Sequence, residues 1–197
     1  MSEPTDAALL RDSLVHPERF ERIFDRHYDV VRRYAHRRVG KEAGEDIASD
    51  TFLTAFSVRS SFDGRSESAR AWLFGIANNL VRHHLRAEWT RTAAWSRLPL
   101  ETAEFDYVDA EKLDALRAAP AIAAAFQTLH AEDRETFLLF ALGELTYDEV
   151  ADALAIPTGT VRSRIFRVRK ILREQLSDLE AIKGSDSETP GITEGKV

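Results

Sequence analysis

Apolar side chains recur every three or four residues along most of this chain, the spacing of one helical face, and strand-like alternation is absent. Pro17 suits a first helical turn. After it, Phe20, Ile23, Phe24, His27, Val31 and Tyr34 keep to one side. Glycines at 40 and 44 mark a break. The next helix carries Ile47, Ala48, Thr51, Phe52, Ala55 and Phe56 on one face. Ser60 to Ser68, SSFDGRSES, reads as a loop, and a third helix covers Ala69 to Trp89. Periodicity fades from Thr92 to Ala119, where Pro99, Pro120 and a run of acids mark a linker with a short helix near Glu111 to Ala118. It returns in AIAAAFQTL and AEDRETFLLFALGEL, and is gone from Gly184 onward, where GSDSETPGITEGKV has a disordered composition. The predicted fold class is all-α. Two small helical domains, 15–92 and 118–180, are joined by an acidic flexible linker, 93–117, and followed by an acidic tail, 181–197.

The most structured local signal is Thr146 to Lys170, TYDEVADALAIPTGTVRSRIFRVRK. Thr146 and Glu149 have the T-x-x-E spacing of a capping box, so a helix begins there. Pro157 disfavours helix at Ile156, which stops that helix near Ala155. Thr158 is a suitable cap for the next one. Two short helices with so tight a turn make a helix-turn-helix, with Ile156 and Val161 plugging the angle. On the second helix Val161, Ile165, Val168 and Leu172 fall within about 60° of one another. Arg162, Ser163, Phe166, Arg167 and Lys170 take the opposite arc, and Arg164 and Arg169 flank the stripe.

Charge changes the picture because it is segregated. The 197 residues hold 27 Lys and Arg against 33 Asp and Glu, a formal charge of −6. From Thr158 to Arg173 there are nevertheless six cations (Arg162, Arg164, Arg167, Arg169, Lys170, Arg173) and no acid. A second island spans Arg70 to Arg91, where Glu88 is the single acid. The balancing carboxylates lie elsewhere: Glu101, Glu104, Asp106, Asp109, Glu111 and Asp114 fill the middle, and more follow Glu174. An acidic sum therefore conceals two positive surfaces. Early residues of such a second helix enter a major groove, where arginine reads guanine, and the later cations suit phosphates. A solvated basic face is the plain alternative.

On the helix from Trp72, Asn79, Arg82, His83 and Arg86 gather opposite Leu73, Ala77, Leu80, Val81 and His84. Asparagine with arginines suits bases and phosphates. In the preceding loop Phe62 and Arg65 flank Gly64, a pairing that can hold an unpaired base by stacking. Core packing is the competing role for Phe62, and Trp72 and Phe74 read as core. His83 and His84 point 100° apart and do not form a metal pair. In GEDIASDTFLTAF the polar side, Glu45, Asp46, Ser49 and Asp50, fits a docked protein partner, or simply solubility.

With 44% apolar residues, no cysteine, no leader pattern and no run of about 20 apolar residues, the expectation is a soluble, cytoplasmic protein without membrane span, disulfide or cofactor. No nucleophile–base set, P-loop or metal signature is present, so the chain reads as a non-enzyme.

Taken in order, these segments resemble the extracytoplasmic-function sigma factors of bacteria, the small sigma-70 group that has only regions 2 and 4. GEDIASDTFLTAF resembles the region 2 helix that binds the clamp helices of the polymerase β′ subunit. ARAWLFGIANNLVRHHLR resembles the helix that, with its preceding loop, recognises and opens the −10 element. LHAEDRETFLLFALGELTYDEVADALAIPTGTVRSRIFRVRKIL resembles region 4, which reads the −35 element. The resemblance implies polymerase contacts at Asp46, Ser49, Asp50 and Phe52. It implies −10 contacts at Phe62, Asp63, Arg65, Asn79, Arg82, His83 and Arg86, and −35 contacts at Thr160, Arg162, Ser163, Phe166, Arg167 and Lys170. Implied partners are core RNA polymerase, through the β′ clamp helices and the β flap, promoter DNA, and an anti-sigma factor or other regulator. Ser49 stands where the family often has glutamine, and His130–Ala131 where it often has a proline pair. The rival readings are a conventional helix-turn-helix regulator that binds duplex without polymerase, and an antagonist that binds polymerase without DNA.

Overall fold

The computed structural model describes residues 3–64, 66–95, 125, 126 and 128–185. Within them the order is α1 (Asp6–Asp12), a 3₁₀ turn (Pro17–Phe20), α2 (Glu21–Val39), α3 (Lys41–Ser57), a 3₁₀ turn (Arg59–Ser61), α4 (Arg70–Trp95), α5 (Ala131–Gly143), α6 (Tyr147–Leu154) and α7 (Thr158–Ser185). No strand occurs among the described residues. The all-α class therefore stands. The expected linker, except 93–95, the helix near 111–118, Arg65 and tail residues 186–197 lie outside the described residues.

The chain divides into two compact units, one formed by 1–100 with 135–162, the other by 101–134 with 163–197. In the first, α2, α3 and α4 pack around Ile23, Val31, Tyr34, Phe52, Leu73, Phe74 and Val81, all buried. α2 and α3 meet closely because Gly44 faces His36. A Cβ there would lie 2.7 Å from the His36 ring. Gly44 is thus inside α3, not part of the break. Gly40 alone makes the break, at φ 82°.

α5 from Glu135 onward and α6 belong to the same unit. A Cβ on Gly75 would meet the Ala153 carbonyl at 2.9 Å, and one on Gly143 would meet the Phe74 ring at 2.8 Å. Arg38, with a side chain 3% exposed, donates to both Glu135 oxygens at 2.9 and 3.0 Å. It also donates to Tyr34 Oη and Asn78 Oδ1. Burial pushes the Tyr34 phenol above its ordinary value; Arg38 opposes this and Glu135 adds to it. Arg70 donates to the Gly143 and Glu144 carbonyls, which α5 leaves unpaired at its end.

α1 is an element that apolar spacing alone did not predict. Its seven residues are too few for a periodic signal. Thr5 caps it by accepting from Ala8 N–H, and Leu9 and Leu10 are each 1% exposed.

Candidate nucleic-acid interface

The capping box is present in full. Thr146 Oγ1 accepts from Glu149 N–H at 3.2 Å, and the Glu149 carboxylate accepts from Thr146 N–H at 2.8 Å. α6 ends at Ala155 in the left-handed conformation, φ 52°, and Ile156 N–H returns to the Ala151 carbonyl. The expected role of Thr158 is corrected. Pro157 precedes the helix and its carbonyl accepts from Thr160 and Val161 N–H. Thr158 is already the first helical residue, and its hydroxyl donates to Asp148 instead. α7 also runs on to Ser185, past the Gly184 at which a tail is expected.

On α7 Val161, Ile165 and Val168 are at most 1% exposed, and Leu172 is half-buried. Arg162, Ser163, Phe166, Arg167 and Lys170 are exposed and Thr160 half-exposed, as the wheel requires. In the second unit Asp133, only 4% exposed, lies 3.4 Å from Arg167 and 3.9 Å from Arg164. Glu132 pairs with Arg164 as well. Arg164 is therefore held to α5. Arg162 makes no ion pair among the described residues, and Lys170 lies 3.8 Å from Glu174.

On α4 Asn79, Arg82, His83 and Arg86 are all exposed, and Val81, Ala77 and Leu73 are buried beneath them. None of the three basic groups makes an ion pair among the described residues. Phe62 is half-buried, its ring 5.4 Å from Trp72 and edge-on to it, and Asp63 is exposed. Trp72 differs from expectation: it is half-exposed, whereas Phe74 is 1% exposed. The aromatic surface beside the loop is thus a pair. Trp72 lies seven residues before Asn79, on the same face of α4 as Asn79, Arg82, His83 and Arg86, so helical spacing places it outward while Phe74 points into the core.

On α3 Asp46, Ser49 and Asp50 are exposed. Phe52 is corrected as a contact residue: it is 3% exposed, edge-on to Phe24 at 5.1 Å and tilted to Tyr28 at 5.7 Å. Its place in the apolar stripe sends it into the core. The neighbouring Leu53, 66% exposed, is the apolar group this helix presents. An apolar residue outside the buried stripe was the available signal. Asp46 and Asp50 share a groove with His83 and His84, so the acidic side of α3 borders α4.

Residues 23–91 match the family described as Sigma-70 region 2, and residues 120–172 that described as Sigma-70, region 4. The RNA polymerase sigma-H factor of Pseudomonas aeruginosa is 32% identical over 180 residues, covering 82% of this chain and 92% of that one. The ECF RNA polymerase sigma factor SigL of Mycobacterium tuberculosis is 30% identical over 158 residues, covering 80% and 88%. Among solved structures, CnrH in complex with the cytosolic domain of CnrY aligns over 88% of this chain and 97% of that chain. Its TM-score is 0.61 at 23% identity, a likeness of fold.

Proposed function

The chain belongs to the extracytoplasmic-function group of the sigma-70 family of RNA polymerase sigma factors, and we propose that it grips one promoter through two cationic faces while α3 holds core polymerase. The carrying observation is α7, whose Val161, Ile165 and Val168 are sealed while Arg162, Ser163, Phe166, Arg167 and Lys170 face outward. In this reading domain 118–180 reads −35 duplex and touches the β flap. Arg162 and Ser163, near the helix start, reach base edges, and Arg167 and Lys170 meet phosphates. Domain 15–92 takes the −10 segment as single strand. Exposed Arg82, His83 and Arg86 meet the backbone. Asn79 reads an edge, and Phe62 with Trp72 stacks an unpaired base. Asp46, Ser49 and Asp50, with Leu53 beside them, form the clamp-helix contact, and an anti-sigma factor would act by covering it or α7.

The chain supplies recognition and strand capture, the polymerase supplies catalysis, and the site of action is the cytoplasm. Among the described residues no helix is long and apolar enough to cross a membrane. The test is transcription by core RNA polymerase on a library of random promoter fragments. Discrete start sites preceded by a shared pair of elements, dependent on this chain, are expected. Polymerase binding without transcripts would support an antagonist instead, and duplex binding to symmetric half-sites without polymerase would support a conventional regulator.

A further inference from the structure

α1 lies before residue 23, where the match to Sigma-70 region 2 begins, yet it touches both feet of the loop assigned to the −10 strand. At its start Asp6 is 6% exposed and takes three hydrogen bonds. Arg26 Nη1 donates to Oδ1 at 2.7 Å; His27 Nε2 lies 2.6 Å and Ala69 N 2.9 Å from Oδ2. Ala69 is the residue just before α4, so Asp6 satisfies that N–H from 63 positions away, while Ser68 Oγ accepts from Arg70 N–H locally at 3.2 Å. Ala7 N–H donates to the Glu67 carbonyl at 3.2 Å, within the loop's exit itself. At the other end of α1, the Ser13 carbonyl accepts from Arg59 Nε at 3.3 Å. Arg59 opens the turn that leads into the loop. Its guanidinium stands 4.0 Å from the Phe56 ring centroid and also donates to the Phe56 carbonyl. One short rigid helix therefore bridges the entry of the loop, at Arg59, and its exit, at 67–69.

We propose that α1 is a clamp that sets the spacing between the two feet of the base-capture loop, with Asp6 and Arg59 as positioning residues for strand opening. The inference rests on the assignment of Phe62, Asp63 and Trp72 to the melted strand. A loop tied at both feet keeps its aromatic pair at one separation before DNA arrives, so ordering it costs nothing when a base leaves the stack. A loop free at either foot must be ordered in that step. The buried ion cluster around Asp6 gives the exit foot a charged anchor. The Arg59 stack on Phe56 gives the entry foot a second one.

The test uses holoenzyme made from core RNA polymerase and the full chain, on a promoter that the wild-type holoenzyme selects from a random library. Asp6→Asn and Arg59→Gln are each expected to slow open-complex formation on duplex promoter by about tenfold or more, the scale of one lost charge-assisted hydrogen bond. Both are expected to relax base preference at one −10 position, and to leave holoenzyme assembly and −35 preference unchanged. A parallel fall in assembly, −35 binding and opening, with base preference intact, would make α1 a fold element only and overturn the clamp. If Asp6→Asn lowers the helix content of the free protein, Arg59→Gln decides, since it leaves the Asp6 cluster intact. Phe62→Ala separates the two readings. Slowed opening in Phe62→Ala with both foot variants neutral removes the clamp alone. Normal opening in Phe62→Ala removes the loop assignment and the clamp with it.

Discussion

Two cations of α7, Arg164 and Arg167, are backed by acids of α5, whereas Arg82 and Arg86 of α4 make no ion pair among the described residues. Asp133 and Glu132 hold Arg164, and Asp133 reaches Arg167, so part of that face has fixed geometry and reduced net field. Arg82, His83 and Arg86 have no such partners among the described residues. Asp46 and Asp50 line a groove with His83. A face that must fit a rigid duplex gains from side chains already placed. One that follows a flexible single strand gains from an unshielded field that tolerates many backbone paths. The same residue types thus serve different ends according to what stands behind them.

The largest expected effect sharpens the contrast between adjacent residues on α7. Ile165→Ala should lower unfolding free energy by about 2–5 kcal/mol through the cavity it leaves. Phe166→Ala, 71% exposed beforehand, should stay within about 0.5 kcal/mol. Urea unfolding of both variants checks the pair, and equal losses would break the assignment of faces. Next in size is Asp6. Burial by itself would raise its carboxyl, but hydrogen bonds from His27, Ala69 N–H and Arg26 outweigh burial and hold it well below the usual carboxylate range. Its contribution is therefore complete above pH ~4 and drains as pH falls. The stability gap between wild type and Asp6→Asn should shrink by on the order of 2 kcal/mol between pH 6 and pH 2. A constant gap would show that Asp6 carries no such linkage.

Arg162→Ala should cost about 1–3 kcal/mol at one base pair and relax preference there, read from holoenzyme binding to single-site promoter variants. Lys170→Ala should weaken all sequences alike and reduce the salt slope of binding by about 1. A change of preference with Lys170→Ala, or of slope alone with Arg162→Ala, would exchange their roles. The smallest effect is at the turn. Ala155 occupies the left-handed region, which a Cβ disfavours, and it is exposed. Ala155→Gly should therefore raise stability by about 0.5–1 kcal/mol, seen as a higher Tm.

Legibility followed sequence distance. The capping box, the proline stop and the buried stripe of α7 are made by residues within a few positions of one another, so they could be read directly. Asp6 finds its partners 20, 21 and 63 residues away, and nothing in a seven-residue helix announces them. Phe52 and Leu53 show the limit at one step. The apolar stripe of α3 already included Phe52, so its burial was legible, and naming it a contact came from the family pattern rather than from the wheel. Gly44 has the local signature of a breaker, because its close approach to His36 on another helix leaves no trace in local composition. Thr158 has the local signature of a cap, because the competing acceptor, Asp148, lies ten residues back.

In the proposed mechanism the two cationic faces read their elements independently. The decisive measurement is the full promoter preference of three holoenzymes, carrying wild type, Arg162→Ala and Asn79→Ala, each selected from one random library. Arg162→Ala should alter the upstream duplex element alone, and Asn79→Ala the downstream melted element alone. Changes by both variants in the same element, or in neither, would contradict it.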